Sequence, residues 1–266
     1  MKGLICFYSC TGNTEWVCRY LAKSLPMVTF DWVNLSERTE CPDFGKYGIV
    51  GFATFTDWWG IPHRMDTWLS NCPIQSATPA FVLNTYAHIS GKTLTDLAES
   101  VRRRGFRVVA GHSIRTPGNY PPSLARGKSF SDAPTKKDMD RFTSFVGFMI
   151  SLIDSLEQGA TVDEASLKIG LVNRLLRRYP RTHAKQMMGP KKVDHERCSR
   201  CGSCVRVCAY NAPQLHHKVS FNESRCYGCW SCYNHCPQKA IHTYALMGQG
   251  QYPGPSTKLR SKLPLY

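Results

Sequence analysis

Eight of the thirteen cysteines lie between residues 198 and 236, in two runs with identical spacing. Each run reads Cys-x2-Cys-x2-Cys-x3-Cys, and the second begins 28 residues after the first. Three thiolates at three-residue steps wrap one corner of an iron–sulfur cube, while the fourth cysteine of the run ligates the other cluster. The repeat therefore predicts two [4Fe-4S] clusters with crossed ligands. The first would take Cys198, Cys201, Cys204 and Cys236, and the second would take Cys226, Cys229, Cys232 and Cys208.

Zinc is the main alternative for so many cysteines. Zinc sites also use Cys-x2-Cys pairs, but normally two pairs separated by a longer loop. Two four-cysteine runs with this spacing do not fit that arrangement.

The other five cysteines are scattered over the first 72 residues: Cys6, Cys10, Cys18, Cys41 and Cys72. The N-terminus lacks the long apolar segment and the small-residue cleavage site of a signal peptide, so a cytoplasmic location is expected. Because that compartment keeps thiols reduced, these cysteines are not expected to form disulfides. They are expected to be small core residues, except Cys10, whose place in the turn after the first strand would allow it to be exposed.

Apolar runs and helical patterns alternate through residues 1–155. The predicted strands are Leu4–Tyr8, Val28–Val33, Gly48–Phe55, Ala80–Asn84 and one that starts at Arg107–Ala110. Apolar residues recur at helical spacing after the first strand, and Leu94–Arg104 and Lys137–Leu156 are further predicted helices. Strands that alternate with helices predict an α/β domain with a doubly wound parallel sheet.

The remaining chain divides by composition into three segments. Residues 156–190 are predicted to be a basic helical connector, with a helix over Ala165–Arg178 that ends near Pro180. Residues 191–246 contain the cysteine runs and are expected to form a small α+β domain. Residues 247–266 are rich in Gly, Pro and Lys, which predicts an irregular tail on the surface.

The turn after the first strand is rich in hydroxyl and amide groups: Ser9, Thr11, Gly12, Asn13 and Thr14. A helix follows directly, and the free N–H groups of a helix N-terminus bind anions. Hydroxyl donors suit a phosphate that is held and not transferred. A Ser/Thr-rich helix cap is the simpler alternative. The turn lacks the G-x-G-x-x-G and P-loop patterns, which argues against a dinucleotide or ATP.

This turn resembles the FMN-phosphate loop of flavodoxins, and two later segments resemble their ring-binding loops. The first of these follows the third strand and includes Thr54, Asp57, Trp58, Trp59 and Gly60. The second follows the fourth strand and includes Asn84, Thr85 and Tyr86. A third candidate is Thr116–Tyr120. The resemblance implies FMN as a cofactor, with an aromatic side chain against the flavin ring. For the two tryptophans, core packing is the alternative.

The cysteine runs resemble those of bacterial two-cluster ferredoxins, although Ala209 follows Cys208 where those proteins often have proline. The order of the segments resembles flavodoxin–ferredoxin fusion proteins of anaerobes. That resemblance implies an electron-transfer iron–sulfur flavoprotein that links one-electron carriers to FMN. The alternative is a flavin-dependent reductase whose small substrate reacts at FMN with electrons fed through the clusters. The sequence contains no convincing acid–base pair, so no catalytic residue is assigned.

The chain is basic, with a formal net charge of +15, and seven Lys or Arg lie between Arg174 and Lys192. A basic surface attracts acidic molecules, so the expected partner is an acidic redox protein. No recognised nucleic-acid module is present. No segment approaches the ~20 apolar residues that a membrane span needs. The sequence does not predict an oligomeric state.

Overall fold

The first part of the chain folds into a parallel sheet of five strands in the order β2-β1-β3-β4-β5. The computed structural model describes residues 1–37 and 40–266. The strands are β1 (Lys2–Phe7), β2 (Thr29–Asn34), β3 (Ile49–Phe55), β4 (Pro79–Tyr86) and β5 (Arg107–Arg115). All neighbouring pairs are parallel. This order is a doubly wound one, so the predicted fold class is confirmed.

Helices cover both faces of the sheet. They are α1 (Asn13–Lys23), α2 (His63–Asn71), α3 (Thr93–Arg102), the short α4 (Pro121–Leu124) and α5 (Lys136–Glu157). Side chains of α2 and α3 belong to one buried core, and those of α1 and α5 belong to the other. Along β1, Leu4 faces the first core while Ile5 faces the second. Strands covered on both faces read as continuous apolar runs, which is why the sequence predicted them well.

The connector differs from its prediction. The helix predicted over Ala165–Arg178 is reduced to α6 (Leu171–Leu175), and a second helix, α7 (Arg181–Met188), begins directly after Pro180. Upstream of α6, the backbone N–H of Ala165 donates to the Val108 carbonyl of β5. Leu167 packs against the first core. These contacts with the sheet hold the segment extended, and tertiary packing thereby overrides a helical pattern.

The segment with the cysteine runs contains two small antiparallel strand pairs and two short helices. β6 (Lys192–Val193) pairs with β9 (Ile241–His242), and β7 (Pro213–Leu215) pairs with β8 (Val219–Phe221). The helices are α8 (Ser203–Arg206) and α9 (Ser231–Asn234), one after the start of each run. Each is preceded by a residue in the left-handed region, Gly202 and Trp230. The expected small α+β arrangement is therefore present.

The C-terminal segment is not an irregular surface tail, so that prediction is wrong. It contains α10 (Thr257–Lys262), whose first turn is capped by the Ser256 hydroxyl accepting from the Leu259 N–H. Leu259 and Leu263 are fully buried in the core beneath α1. The Trp16 indole N–H donates to the Leu263 carbonyl at 2.9 Å. Two leucines four residues apart form an apolar helix face, which explains why the segment folds onto the sheet domain.

One pair of scattered cysteines departs from the prediction of small core residues. Cys41 and Cys72 form a disulfide, with Cα atoms 5.5 Å apart, a separation that such a bond requires. Cys6 and Cys18 are buried, as expected, and Cys10 is buried too, although its place in the turn after β1 suggested exposure. Across residues 1–37 and 40–266, no helix has the length and apolar character needed to cross a membrane.

Candidate functional site

A cavity of about 320 Å³ opens at the carboxyl ends of the sheet strands. Its wall includes residues from the loops after β1, β3, β4 and β5. In doubly wound sheets, ligands bind outside the carboxyl ends of the strands, at the point where the strand order reverses. Here that point lies between β1 and β3, so the cavity is in the expected place.

The turn after β1 forms one wall. Gly12 is the N-cap residue of α1 and lies in the left-handed region, at φ 85°. Because glycine has no side chain, it leaves the first N–H groups of α1 available to an anion. Ser9, Thr11, Asn13 and Thr14 line the cavity. The residues present therefore fit a phosphate.

Loops from neighbouring strands brace this turn. The Asn119 amide donates to the Thr11 hydroxyl at 2.7 Å, and the Asn13 amide donates to the Pro117 carbonyl at 3.0 Å. The hydroxyls of Thr14 and Thr85 are 2.8 Å apart. Only one of two paired hydroxyls donates to the other, so one O–H remains for a ligand.

Trp58 and Trp59 occupy the two central positions of a tight turn after β3. Asp57 and Gly60 exchange backbone hydrogen bonds of 2.9 and 3.2 Å across it. Both tryptophans have positive φ, 49° and 68°, in a turn that normally takes Asn-Gly. Left-handed backbone costs about 1–2 kcal/mol per residue. Such strain is concentrated at functional sites, and both tryptophans line the cavity.

Aromatic neighbours fix the position of Trp58. Its ring stacks on Tyr179 with centroids 5.0 Å apart and meets Tyr120 edge-on at 5.7 Å. Trp59 lies so close to Gly91 that a Cβ there would be 2.5 Å from the Trp59 carbonyl. The turn is therefore rigidly held on both sides.

Three of the predicted ring-loop residues lie outside the cavity wall: Thr54, Gly60 and Asn84. Asn84 is fully buried; its amide donates to the Thr56 and Ser90 hydroxyls, and its carbonyl oxygen accepts from Ser113. Asn84 therefore braces the loops and does not line the cavity. Asp57, Thr85 and Tyr86 do line it.

Four residues of the wall come from outside the sheet domain, and sequence reasoning did not place them there: Arg181, Gly228, Cys229 and Trp230. Arg181 comes from the connector, and the other three come from the second cysteine run. No local sequence signal links them to a site on the sheet domain, because their proximity arises only from packing between distant segments.

A partly buried ion pair joins these segments. Arg181 Nη1 lies 2.8 Å from Asp57 Oδ1, and the Tyr227 hydroxyl donates to Asp57 Oδ2 at 2.8 Å. Arg181 Nε also donates to the Tyr227 carbonyl at 2.7 Å. Burial raises the pKa of Asp57, although the charge of Arg181 and the hydrogen bond from Tyr227 oppose that rise. The carboxylate is thus held by groups from outside the sheet domain.

The cysteine runs form two groups. Cys198, Cys201 and Cys204 of the first run line a small second cavity together with Cys236 of the second run. Burial raises the pKa of Cys208, with smaller contributions from the neighbouring thiols of Cys229 and Cys226. Cys208 therefore lies among cysteines of the opposite run.

Within the described part of the chain, no three His, Cys, Asp or Glu side chains converge on a point that could hold one metal ion.

A comparison with known protein families decides the nature of this segment. Residues 197–241 match the family model of a 4Fe-4S dicluster domain. This segment is an iron–sulfur domain. Two curated relatives, the archaeal-type glutamate synthases [NADPH] of Thermotoga sp. (strain RQ2) and Thermotoga maritima, are 38% identical over 64 residues. That match covers 22% of this chain, and the chain spans 13% of the length of these relatives.

Solved structures that resemble the sheet domain include flavodoxins at low sequence identity. A flavodoxin from the domain Archaea is 15% identical, with 59% of this chain and 99% of that chain covered at a TM-score of 0.42. Oxidised Flavodoxin 1 from Bacillus cereus is 15% identical, with 60% and 100% covered at a TM-score of 0.41. The assignment of a flavodoxin-like fold rests on the strand order described above. The chain thus joins a flavodoxin-like domain to an iron–sulfur domain.

Proposed function

We propose that this chain is an electron-transfer flavoprotein that binds FMN in the 320 Å³ cavity and two [4Fe-4S] clusters through its eight clustered cysteines. A bound flavin exchanges one or two electrons and each cluster exchanges one, so the protein would link one-electron carriers to two-electron chemistry. We assign the flavin to residues 1–155, the clusters to residues 191–246 and the connection between them to residues 156–190.

The observation that carries this proposal is the position of Cys229. This cysteine, a candidate ligand of the second cluster, lines the same cavity as Thr11 and Trp58. Cys229 packs against the buried core that includes Cys10, a residue of the turn after β1 (residues 9–14, the phosphate turn). The Ser231 hydroxyl donates to the Cys10 carbonyl at 3.3 Å. A cluster on Cys229 would therefore lie at the wall of the flavin site, where electrons would pass directly between the cluster and the flavin.

The chain around the turn favours a flavin that ends at its phosphate. The Tyr252 hydroxyl donates to Asn13 Oδ1 at 2.8 Å, and a Cβ on Gly12 would be 2.9 Å from Pro255 Cδ. The C-terminal segment thus packs against the turn, which favours a flavin without the adenylate half of FAD. In this proposal, hydroxyl and amide groups of Ser9, Thr11, Asn13 and Thr14 hold the phosphate, and Trp58, Trp59 and Tyr86 contact the ring.

Cofactor analysis of protein purified without oxygen tests the proposal. We expect about eight iron atoms, as two cubane clusters require, and one FMN per chain. Changing Cys229→Ala should lower the iron content and leave FMN bound, whereas Cys18→Ala, which alters a buried cysteine beneath the sheet, should change neither. Stoichiometric zinc with little iron would contradict the cluster assignment, and FAD or no flavin would contradict the assignment of the cavity.

A further inference from the structure

The two cysteine runs differ in the residue that follows their second cysteine. In both runs this residue lies in the left-handed region and directly precedes a short helix. It is Gly202 in the first run, at φ 73°, and Trp230 in the second, at φ 64°. Glycine adopts this conformation without strain, whereas a residue with a side chain does not. The second run therefore holds a large side chain in a strained position that the first run fills with glycine.

The Trp230 ring is packed between the sheet domain and the second cysteine run. Only 5% of the residue is exposed, and it forms part of the cavity wall. Its ring meets Tyr120, in the loop after β5, edge-on with centroids 6.0 Å apart. It meets Tyr233 of α9 in the same way at 5.2 Å. Because Tyr120 also contacts Trp58, aromatic rings lie in contact from the turn after β3 to the second run.

Hydrogen bonds hold this ring in place by fixing α9 against the sheet domain. The Ser231 hydroxyl donates to the Cys10 carbonyl at 3.3 Å, and the Asn234 amide donates to the Asn119 carbonyl at 3.0 Å. The Asn234 N–H donates to the Trp230 carbonyl at 2.9 Å. Trp230 is thus tied to a helix that is itself bound to the phosphate turn and to the loop after β5.

The cysteines that precede these two residues differ in exposure. Cys201, before Gly202, is exposed, whereas Cys229, before Trp230, is half-buried. The other corresponding cysteines of the two runs match in burial: Cys198 and Cys226, Cys204 and Cys232, and Cys208 and Cys236. The second run is therefore less accessible to water at the place where tryptophan stands instead of glycine.

We propose that Trp230 is a positioning residue that keeps water from the second cluster on its flavin side and thereby lowers the reduction potential of that cluster. This inference rests on the proposed function. Reduction adds a negative charge to a cluster that thiolates hold, and burial away from water disfavours added charge. Solvent exposure is accordingly one of the factors that set cluster potentials. A second cluster shielded in this way is a stronger reductant than it would be with glycine at this position.

Packing alone does not account for tryptophan at this position. The first run forms the same backbone with glycine and without that strain. Strained residues are concentrated at functional sites, and this one lies both in the cavity wall and between two candidate cluster ligands, Cys229 and Cys232.

The test compares Trp230→Leu with Trp68→Leu in holoprotein kept without oxygen and saturated with FMN. Trp68 of α2 is the matched control, because it is buried to a similar degree, at 4% exposure, in the first core, and lines neither cavity. Pulsed electron paramagnetic resonance in D2O measures the exchangeable deuterium near each reduced cluster. Redox titration followed by the same spectroscopy gives the midpoint potential of each cluster, and Cys229→Ala, which lacks a ligand of the second cluster, assigns the signals.

Trp230→Leu should increase the deuterium signal of the second cluster and shift its midpoint potential to a more positive value. The first cluster should keep its wild-type signal and potential. Trp230→Phe retains a ring and should fall between the wild type and Trp230→Leu; it also provides the test if Trp230→Leu does not fold. Trp68→Leu should lower the melting temperature and change neither cluster.

Two results would overturn the inference alone. The first is wild-type deuterium signals and potentials in the Trp230 variants, with only a lowered melting temperature, which would make Trp230 a packing residue. The second is an equal change at both clusters, which would indicate general loosening of the iron–sulfur domain. A wild-type protein that binds no flavin or no clusters would instead overturn the proposed function, and this inference with it.

Discussion

Replacing Gly12 by alanine should destabilise the protein for two separable reasons, backbone strain and overpacking. It should also weaken FMN binding. Gly12 has φ 85°, and an added Cβ would lie 2.9 Å from Pro255 Cδ and 3.2 Å from Pro255 Cγ. Left-handed backbone costs an alanine about 1–2 kcal/mol, and overpacking of this kind adds about 1–3 kcal/mol. The sum, about 2–5 kcal/mol, should lower the melting temperature by about 4–20 °C in a protein of this size.

Gly159→Ala is the matched control, because Gly159 has φ 74° and no atom lies within 4 Å of its added Cβ. It should show the backbone cost only, about 1–2 kcal/mol, and bind FMN as wild type does. Changing Pro255→Ala in the Gly12→Ala background removes the ring carbons and should recover the overpacking part. Thermal unfolding and FMN titration measure both effects. Equal losses in Gly12→Ala and Gly159→Ala, with unchanged FMN affinity, would refute the packing of the C-terminal segment on the phosphate turn.

Three further predictions concern the clusters, the partner and the pH dependence of stability. Cys208→Ala should remove the electron paramagnetic resonance signal of the cluster on Cys229 and about half of the iron; loss of the other cluster would refute the crossed ligation. Reversing the charge of the exposed Arg174 and Arg177 should slow electron transfer to an acidic partner as strongly as high salt does. Transfer rates that do not depend on salt would contradict the idea that the connector attracts the partner. Burial lowers the pKa of His112 from 6.5 to about 4, so the unfolded state binds this proton first as pH falls. The unfolding free energy should therefore decrease by up to about 3 kcal/mol between pH 6.5 and 4. Denaturant titrations should show a smaller decrease for His112→Phe, and a His112→Phe profile equal to that of the wild type would refute this role of His112.

The inner strands of the sheet, β1, β3 and β4, were predictable because they are buried on both faces and read as apolar runs. Gly48–Phe55 was predicted as a strand, and β3 spans Ile49–Phe55. The turn before α1 was predictable because hydroxyl residues and a glycine precede a helical pattern. The cysteine spacing likewise identified the iron–sulfur domain. In each case the signal lies within a few consecutive residues.

The features that the sequence did not predict depend on contacts between distant segments. Leu259 and Leu263 fold the C-terminal segment into the sheet domain, although Gly and Pro dominate its first half. Cys41 and Cys72 meet only because the fold brings the loop before β3 to the end of α2. Arg181 looked like one of seven connector charges, and only packing distinguishes it from its exposed neighbours. No pattern within a single segment records such pairings.

Electron transfer between the flavin and the clusters within one molecule tests the central claim most directly. The holoprotein is kept without oxygen, the flavin is reduced by a light pulse, and cluster reduction is followed by the loss of iron–sulfur absorbance. Because Cys229 lines the flavin cavity, the account predicts a first-order transfer whose rate does not change with protein concentration. A rate proportional to protein concentration, or a flavin that reduces added carriers but never its own clusters, would contradict the account.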